Sequence, residues 1–285
     1  MNTIVDLRPS PIAGQWYAGN ADRLAANVDA FINGATLPEI DGKIVAIIAP
    51  HAGHVYSGPV AGHAFRAVRG MAPDLVAVIS PMHQPYFEPL LTSGHDAYQT
   101  PLGAVAIDKG LIKALDSMLT TAIGIGITPV RQDREHSVEI ELPFLQRALS
   151  GEFSLLPIMV RDQSARVTQA LGESLGRLLK DRNALLVAST DLSHFYTLSA
   201  AEKYDKEMLN RIEAFDPGSV LQAERDKKGF ACGRGAVAAV LWAARELGAD
   251  NVKILNYATS GDVSGDYHQV VGYGAAVIIQ SKEEA

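Results

Sequence analysis

Short, β-branched apolar runs recur along the chain, and stretches with helical periodicity lie between them. The first two are Lys43-Ile-Val-Ala-Ile-Ile-Ala-Pro50 and Leu75-Val-Ala-Val-Ile-Ser-Pro-Met82. Further runs cover 153–160, 184–190, 252–258 and 270–279. They do not alternate apolar with polar residues, so both faces of each must be buried, as in the parallel strands of an α/β sheet. Leu171, Leu175, Leu178 and Leu179 share one helical face between two runs, and so do Tyr204, Met208, Ile212 and Phe215. Ser199 with Glu202 reads as a capping box for the second of these helices. Val237, Val240, Leu241 and Ala244 mark a third helix, ended by Gly248. Alternation of strand and helix with short connections predicts a layered α/β/α fold with a mostly parallel or mixed central sheet. Residues 86–107 break the rhythm. Glu88–Gly94 and Thr100–Ile107 read as an antiparallel excursion. No linker, charge block or repeat divides the chain, so residues 1–285 are read as one domain.

Composition narrows the function classes. The net charge of −7 comes with scattered basic residues, which argues against a nucleic-acid groove and an anionic membrane surface. The apolar runs are far shorter than a membrane span. The first eight residues lack a basic flank followed by an apolar stretch, which reads as no secretory leader. One cysteine cannot form an internal disulfide, and a reducing, cytoplasmic setting is the simplest expectation. No G-x-G-x-x-G follows the first strand, and neither a Walker loop nor a G-x-S-x-G elbow occurs, which speaks against nucleotide cofactors and the common serine hydrolases.

The histidines carry the strongest chemical signal. His51 and His83 each follow an apolar run, and His194 follows Ser189-Thr-Asp-Leu-Ser193. Parallel strands deliver their carboxyl ends to one edge of a sheet, where ligands bind. A single strand-end histidine is more often a hydrogen-bonded group than a ligand, but three such histidines reinforce one another. His54 suits either a supporting group or a loop hydrogen bond, and His95 and His268 sit in loops. His63 falls in a helical stretch and reads as structural. His136 and Glu139 lie either one helical turn apart at the mouth of a site or at an exposed, charged helix start, and the second reading is slightly favoured. Cys232 precedes Gly233-Arg-Gly235 at an expected helix N-terminus. There the helix dipole and Arg234 are expected to favour thiolate, which suits a metal ligand better than a passive core residue. Two histidines and a thiolate with an open position fit zinc, copper or ferrous iron. Asp191 and His194 would then stand just outside the metal's own ligands, with His194 moving a proton.

Several motifs together resemble the Memo family, whose bacterial and archaeal members are called AmmeMemoRadiSam system protein B. They are Arg8-Pro-Ser-Pro-Ile-Ala-Gly-Gln-Trp-Tyr17, Pro50-His-Ala-Gly53 with Tyr56-Ser-Gly58, Ser80-Pro-Met-His83, Asp133–Leu145, Ser189–His194 and Cys232-Gly233. The resemblance runs from about residue 8 to the last apolar run. It implies a fold like that of the class III, non-haem iron extradiol dioxygenases. It also implies a vestibule holding His51, His83 and Cys232, with His194 opposite and iron or copper as the metal. Eukaryotic members are described as motility effectors that bind a phosphotyrosine peptide. This chain departs from the family pattern at His54, where Tyr is common, and at Ser80-Pro-Met-His-Gln84, where Gly-Pro-Ser-His-His is usual. Both departures are expected to alter the pocket rim.

Three readings follow. The first is a metal-dependent redox enzyme with the metal on His51, His83 and Cys232, and with His194, Asp191 and His136 as the catalytic groups. His54, Tyr56, Glu139 and Arg234 would contact an unknown small substrate or peptide. The second is a non-catalytic module that captures a peptide or anion in the same vestibule. The third is a ring-opening dioxygenase, against which a thiolate in place of a carboxylate counts.

Overall fold

The computed structural model describes residues 6–282. Part of the N-terminal leader reading falls on residues 1–5, outside the described residues. The chain runs β1 (Leu7–Arg8), α1 (Ala21–Gly34), β2 (Lys43–Ala49), α2 (His54–Ala67), β3 (Leu75–Pro81), β4 (Leu90–Ser93), β5 (Ala97–Thr100), β6 (Gly103–Ala106), α3 (Lys109–Ile123) and β7 (Thr128–Val130). A 3₁₀ turn at Glu139–Glu141 leads into α4 (Leu142–Ala148), then β8 (Ser154–Val160), α5 (Ala165–Leu179), β9 (Ala184–Ser189) and β10 (His194–Tyr196). The remainder is α6 (Leu198–Glu213), α7 (Pro217–Arg225), α8 (Arg234–Glu246), β11 (Asn251–Thr259), α9 (Gly261–Ser264) and β12 (Val270–Gln280).

The main sheet is mixed, in the order β10-β12-β2-β9-β3-β8-β4-β7, with β11 also on β12. Its centre, β2-β9-β3-β8, is parallel. β12 and β4 flank that centre antiparallel to β2 and β8. Successive residues of the central strands belong to two separate cores. Ala46, Ile48, Ala77 and Ile79 pack with α3, α5, α6, α7 and α8, whereas Ile47, Ala49, Val76 and Val78 pack with α1, α2 and α4. Helices therefore cover both faces, which is why the strand sequences show no alternation.

The excursion at 86–107 is antiparallel as expected but divides between two sheets: β4 enters the main sheet antiparallel to β8, while β5 pairs antiparallel with β6 and parallel with β1 in a small second sheet. One local expectation is corrected. Ser199 and Glu202 do not form a capping box, since α6 starts two residues earlier, with Thr197 at its N-cap and no side-chain cap hydrogen bond. Among the described residues no helix is long and apolar enough to cross a membrane.

Candidate metal centre

Register brings the candidate residues together. Ala188 of β9 lies beside Ile48 of β2 and Ile79 of β3, so these three strands end at one level. The segments beyond them start from the same edge, and β9, in the middle, supplies the anchor. Asp191 Oδ1 accepts the His51 backbone N–H at 2.8 Å. His51 Nδ1 faces Ser189 Oγ at 2.9 Å. His83 is held by Glu135, whose Oε2 accepts its backbone N–H at 2.5 Å and whose Oε1 takes Nδ1 at 2.9 Å. His136 Nδ1 lies 3.4 Å from the same Glu135 Oε1, and its ring stacks on His83 with centroids 4.8 Å apart.

The ligand-capable atoms of His51, His83 and His136 all lie within 4.8 Å of one another. In His51 and His83 an oxygen is hydrogen-bonded to Nδ1, and in His136 the Glu135 carboxylate lies 3.4 Å from Nδ1. A fixed outer partner of this kind orients metal-binding imidazoles. Burial holds His51 well below the ordinary histidine range, and the neighbouring His136 and His83 push the same way. Burial lowers His136 to about 4, against the pull of Glu135. Both rings are therefore neutral at pH 7, the form that binds metals. For Glu135, burial would raise the pKa, but its hydrogen bonds to His83 and the electrostatic attraction of the His83 and His136 rings hold it well below the usual carboxylate range.

Cys232 Sγ lies 3.1 Å from His51 Nε2 and takes the Asp191 N–H at 3.3 Å. The expected thiolate is corrected. Burial pushes the thiol far up, with the nearby Asp191 adding to it, and the N–H groups of Asp191 and Gly233 offset this only in part. Arg234 does not help, because it is turned to Glu224 at 2.5 Å. Metal bonds of about 2.1 Å to nitrogen and about 2.3 Å to sulfur put N and S about 3.1 Å apart at a right angle. The 3.1 Å Cys232–His51 contact equals that spacing and is also a hydrogen-bond distance, and the group of atoms close enough to share an ion is that of His51, His83 and His136, without Cys232.

A cavity of about 450 Å³ opens onto this cluster. Trp16, Tyr56 and Val271 line it together with His51, His83, His136, Asp191 and His194. His194 Nδ1 lies 2.9 Å from the Leu192 carbonyl, so Nδ1 carries the proton and Nε2 the lone pair. Burial lowers its pKa, partly offset by that bond. His194 also lines a smaller cavity of about 210 Å³ that reaches Cys232 and Arg234. Burial raises Asp191 to about 7, against the His51 N–H that stabilises its charge.

Other expected contacts lie elsewhere. His136 and Glu139 are not at an exposed helix start. His136 joins the cluster, and Glu139 is 0% exposed, bonded to Arg8, Ser10 and Tyr17 away from the cavity. His54 is buried too, its Nε2 3.1 Å from the Ile140 carbonyl and its ring against Phe144 and Tyr17. Arg234 borders the smaller cavity and does not line the main one. Neither His54 nor Gln84 lines the main cavity, so the departures from the family pattern do not fall on its wall. His95 is buried beside Asp6, and His268 lies in an exposed turn. Sequence reasoning missed Glu135, Glu141, Ser189 and Trp16. Only the adjacency of Glu135 to His136 could have signalled one of them.

Comparison with known proteins decides the family. A family model described as Memo-like protein matches residues 8–277. The chain belongs to the Memo family. It is 35% identical over 278 residues to a MEMO1 family protein of Nitrosopumilus maritimus, covering 96% of this chain and all of that one. A MEMO1 family protein of Thermotoga maritima is 33% identical over 282 residues, covering 95% of this chain and 99% of the relative. Among solved structures, uncharacterized protein JW3007 of Escherichia coli K12 shares the fold with a TM-score of 0.53. That match has 11% identity and covers 82% of this chain and 100% of that one. For this Memo-family chain the likeness to JW3007 concerns architecture alone.

Proposed function

We propose that this Memo-family chain is a metal-dependent redox enzyme acting on a small molecule in the 450 Å³ cavity. His51 and His83 would hold the ion, with Cys232 and His136 as further donors. The observation that carries this reading is the cluster of three imidazoles whose ligand-capable atoms lie within 4.8 Å of one another, with Nδ1 of His51 and His83 already hydrogen-bonded. Iron or copper bound there would supply one-electron chemistry, whereas zinc would supply only Lewis acidity. His194 would accept a substrate proton at Nε2, and the buried carboxyl of Asp191, poised near pH 7, would hold or return it. Trp16, Tyr56 and Val271 would pack the substrate and exclude water. No Lys or Arg lines the cavity among the described residues, and His51, His136 and His194 are shifted towards neutrality. This weakens the reading of a metal-free module that captures anions.

Anaerobic purification followed by elemental analysis tests the proposal. Wild-type protein should carry near-stoichiometric iron or copper, and His51→Ala and His83→Ala should carry almost none. His194→Ala should keep its metal and lose oxygen consumption. Wild-type protein that takes up neither metal under saturating conditions would refute the reading.

A further inference from the structure

Ser189 Oγ stands among three polar neighbours: His51 Nδ1 at 2.9 Å, the Ser137 carbonyl at 2.8 Å and Glu141 Oε1 at 2.7 Å. A hydroxyl offers one proton and two lone pairs. The Ser137 carbonyl can only accept, so the hydroxyl proton goes to it. The other two neighbours must then donate. Glu141 Oε1 can donate only as a carboxylic acid, and His51 Nδ1 only when it carries the ring proton. Were Glu141 ionised, two buried acceptors would compete for one proton and one would go unpaired. We infer that Glu141 is a positioning residue, kept as a neutral acid, whose proton fixes the Ser189 hydroxyl on Ser137 and so locks His51 in the Nδ1–H tautomer with the Nε2 lone pair facing Cys232.

A second observation agrees. Glu141 Oε2 is buried with no hydrogen-bond partner, which an uncharged carbonyl oxygen tolerates far better than half of an ionised carboxylate does. The 3.1 Å contact between Cys232 Sγ and His51 Nε2 accommodates this tautomer, with the thiol donating to a bare Nε2. Burial, with the charge of Asp191, also pushes the Glu141 carboxyl well above its ordinary range, against the Ser189 bond. The inference rests on the metal reading only in making Nε2 a ligand atom, since the tautomer is set in the metal-free protein.

The test uses the metal-free full chain at pH 7. Infrared difference spectra between wild type and Glu141→Gln should show the loss of one carboxylic-acid carbonyl band. Nitrogen-15 imidazole spectra should show His51 protonated at Nδ1. Glu141→Gln keeps a neutral donor to Ser189 and should retain both the tautomer and near-wild-type metal affinity. Glu141→Leu should mix the tautomers and weaken metal binding roughly 10- to 100-fold, the range seen when outer partners of metal-binding histidines are lost. Absence of the acid band, or a wild-type His51 protonated at Nε2, would overturn the inference even if Glu141→Leu fails to fold. An acid band with an Nδ1–H His51 in a protein that binds no metal would leave it standing and refute the metal reading instead.

Discussion

His54 sits 3% exposed against Phe144 and Tyr17, and burial lowers its pKa to about 4, against the bond to Ile140. In the unfolded chain it protonates near 6.5. Between these values the unfolded state holds more protons, so stability present above pH 6.5 is lost as pH falls towards 4. At about 1.4 kcal/mol per unit, this ring accounts for a loss on the order of 3 kcal/mol. His54→Gln, which keeps a donor for Ile140, should flatten the fall in urea midpoint across that window. An unchanged slope would place the titration elsewhere. Cys232 gives a second prediction at this scale. Its thiol is raised by burial, so alkylation of the metal-free protein by iodoacetamide at pH 7 should run well below the rate of the same thiol in urea. Equal rates would restore the thiolate that the neighbouring helix N-terminus and Arg234 suggest in the sequence. The error there was geometric, because a nearby cation lowers a pKa only where it faces the group, and Arg234 faces Glu224.

At the scale of elements, α5 and α8 cross closely because α5 presents two glycines one turn apart. A Cβ on Gly172 would stand 2.4 Å from the Ala239 carbonyl and 2.6 Å from Trp242 Cβ, and one on Gly176 would stand 2.3 Å from Glu246 Cβ. Helix propensity alone would make Gly172→Ala stabilising by up to about 1 kcal/mol. Overpacking should win and cost about 1–3 kcal/mol, read as a lower urea midpoint. A raised midpoint would mean that the two helices move apart easily. Most elements were legible, since strands buried on both faces and helices with one apolar stripe write their burial into local periodicity. The small sheet was not. β1 and β5 pair across almost ninety residues, and two-residue β1 leaves no periodic trace.

At the scale of the whole molecule, Arg8 ties the N-terminal segment to the imidazole cluster. It is 1% exposed, with bonds to both Asp133 oxygens at 3.1 and 2.7 Å, to Glu139 at 2.6 Å and to the Glu135 carbonyl at 2.6 Å. Glu135 in turn grips His83 and His136. Arg8→Ala would leave two carboxylates buried without their cation, at a cost of about 3–5 kcal/mol. Arg8→Lys should rescue little, because an ammonium cannot reproduce the bidentate fork. Both variants should also bind metal more weakly than wild type, measured on the folded fraction. Arg8→Lys with wild-type stability and metal content would refute this linkage. The amino-acid order by itself determined the layered α/β architecture and the delivery of His51, His83 and His194 to one sheet edge, because strand burial and strand direction are local patterns. Only the tertiary structure decided that His136 joins the cluster, that Glu139 turns inward, that burial pushes the thiol's pKa up and that Glu135, Ser189 and Glu141 hold the imidazoles. Those outcomes depend on burial and on pairings between residues 48 to 181 positions apart, which no local pattern encodes.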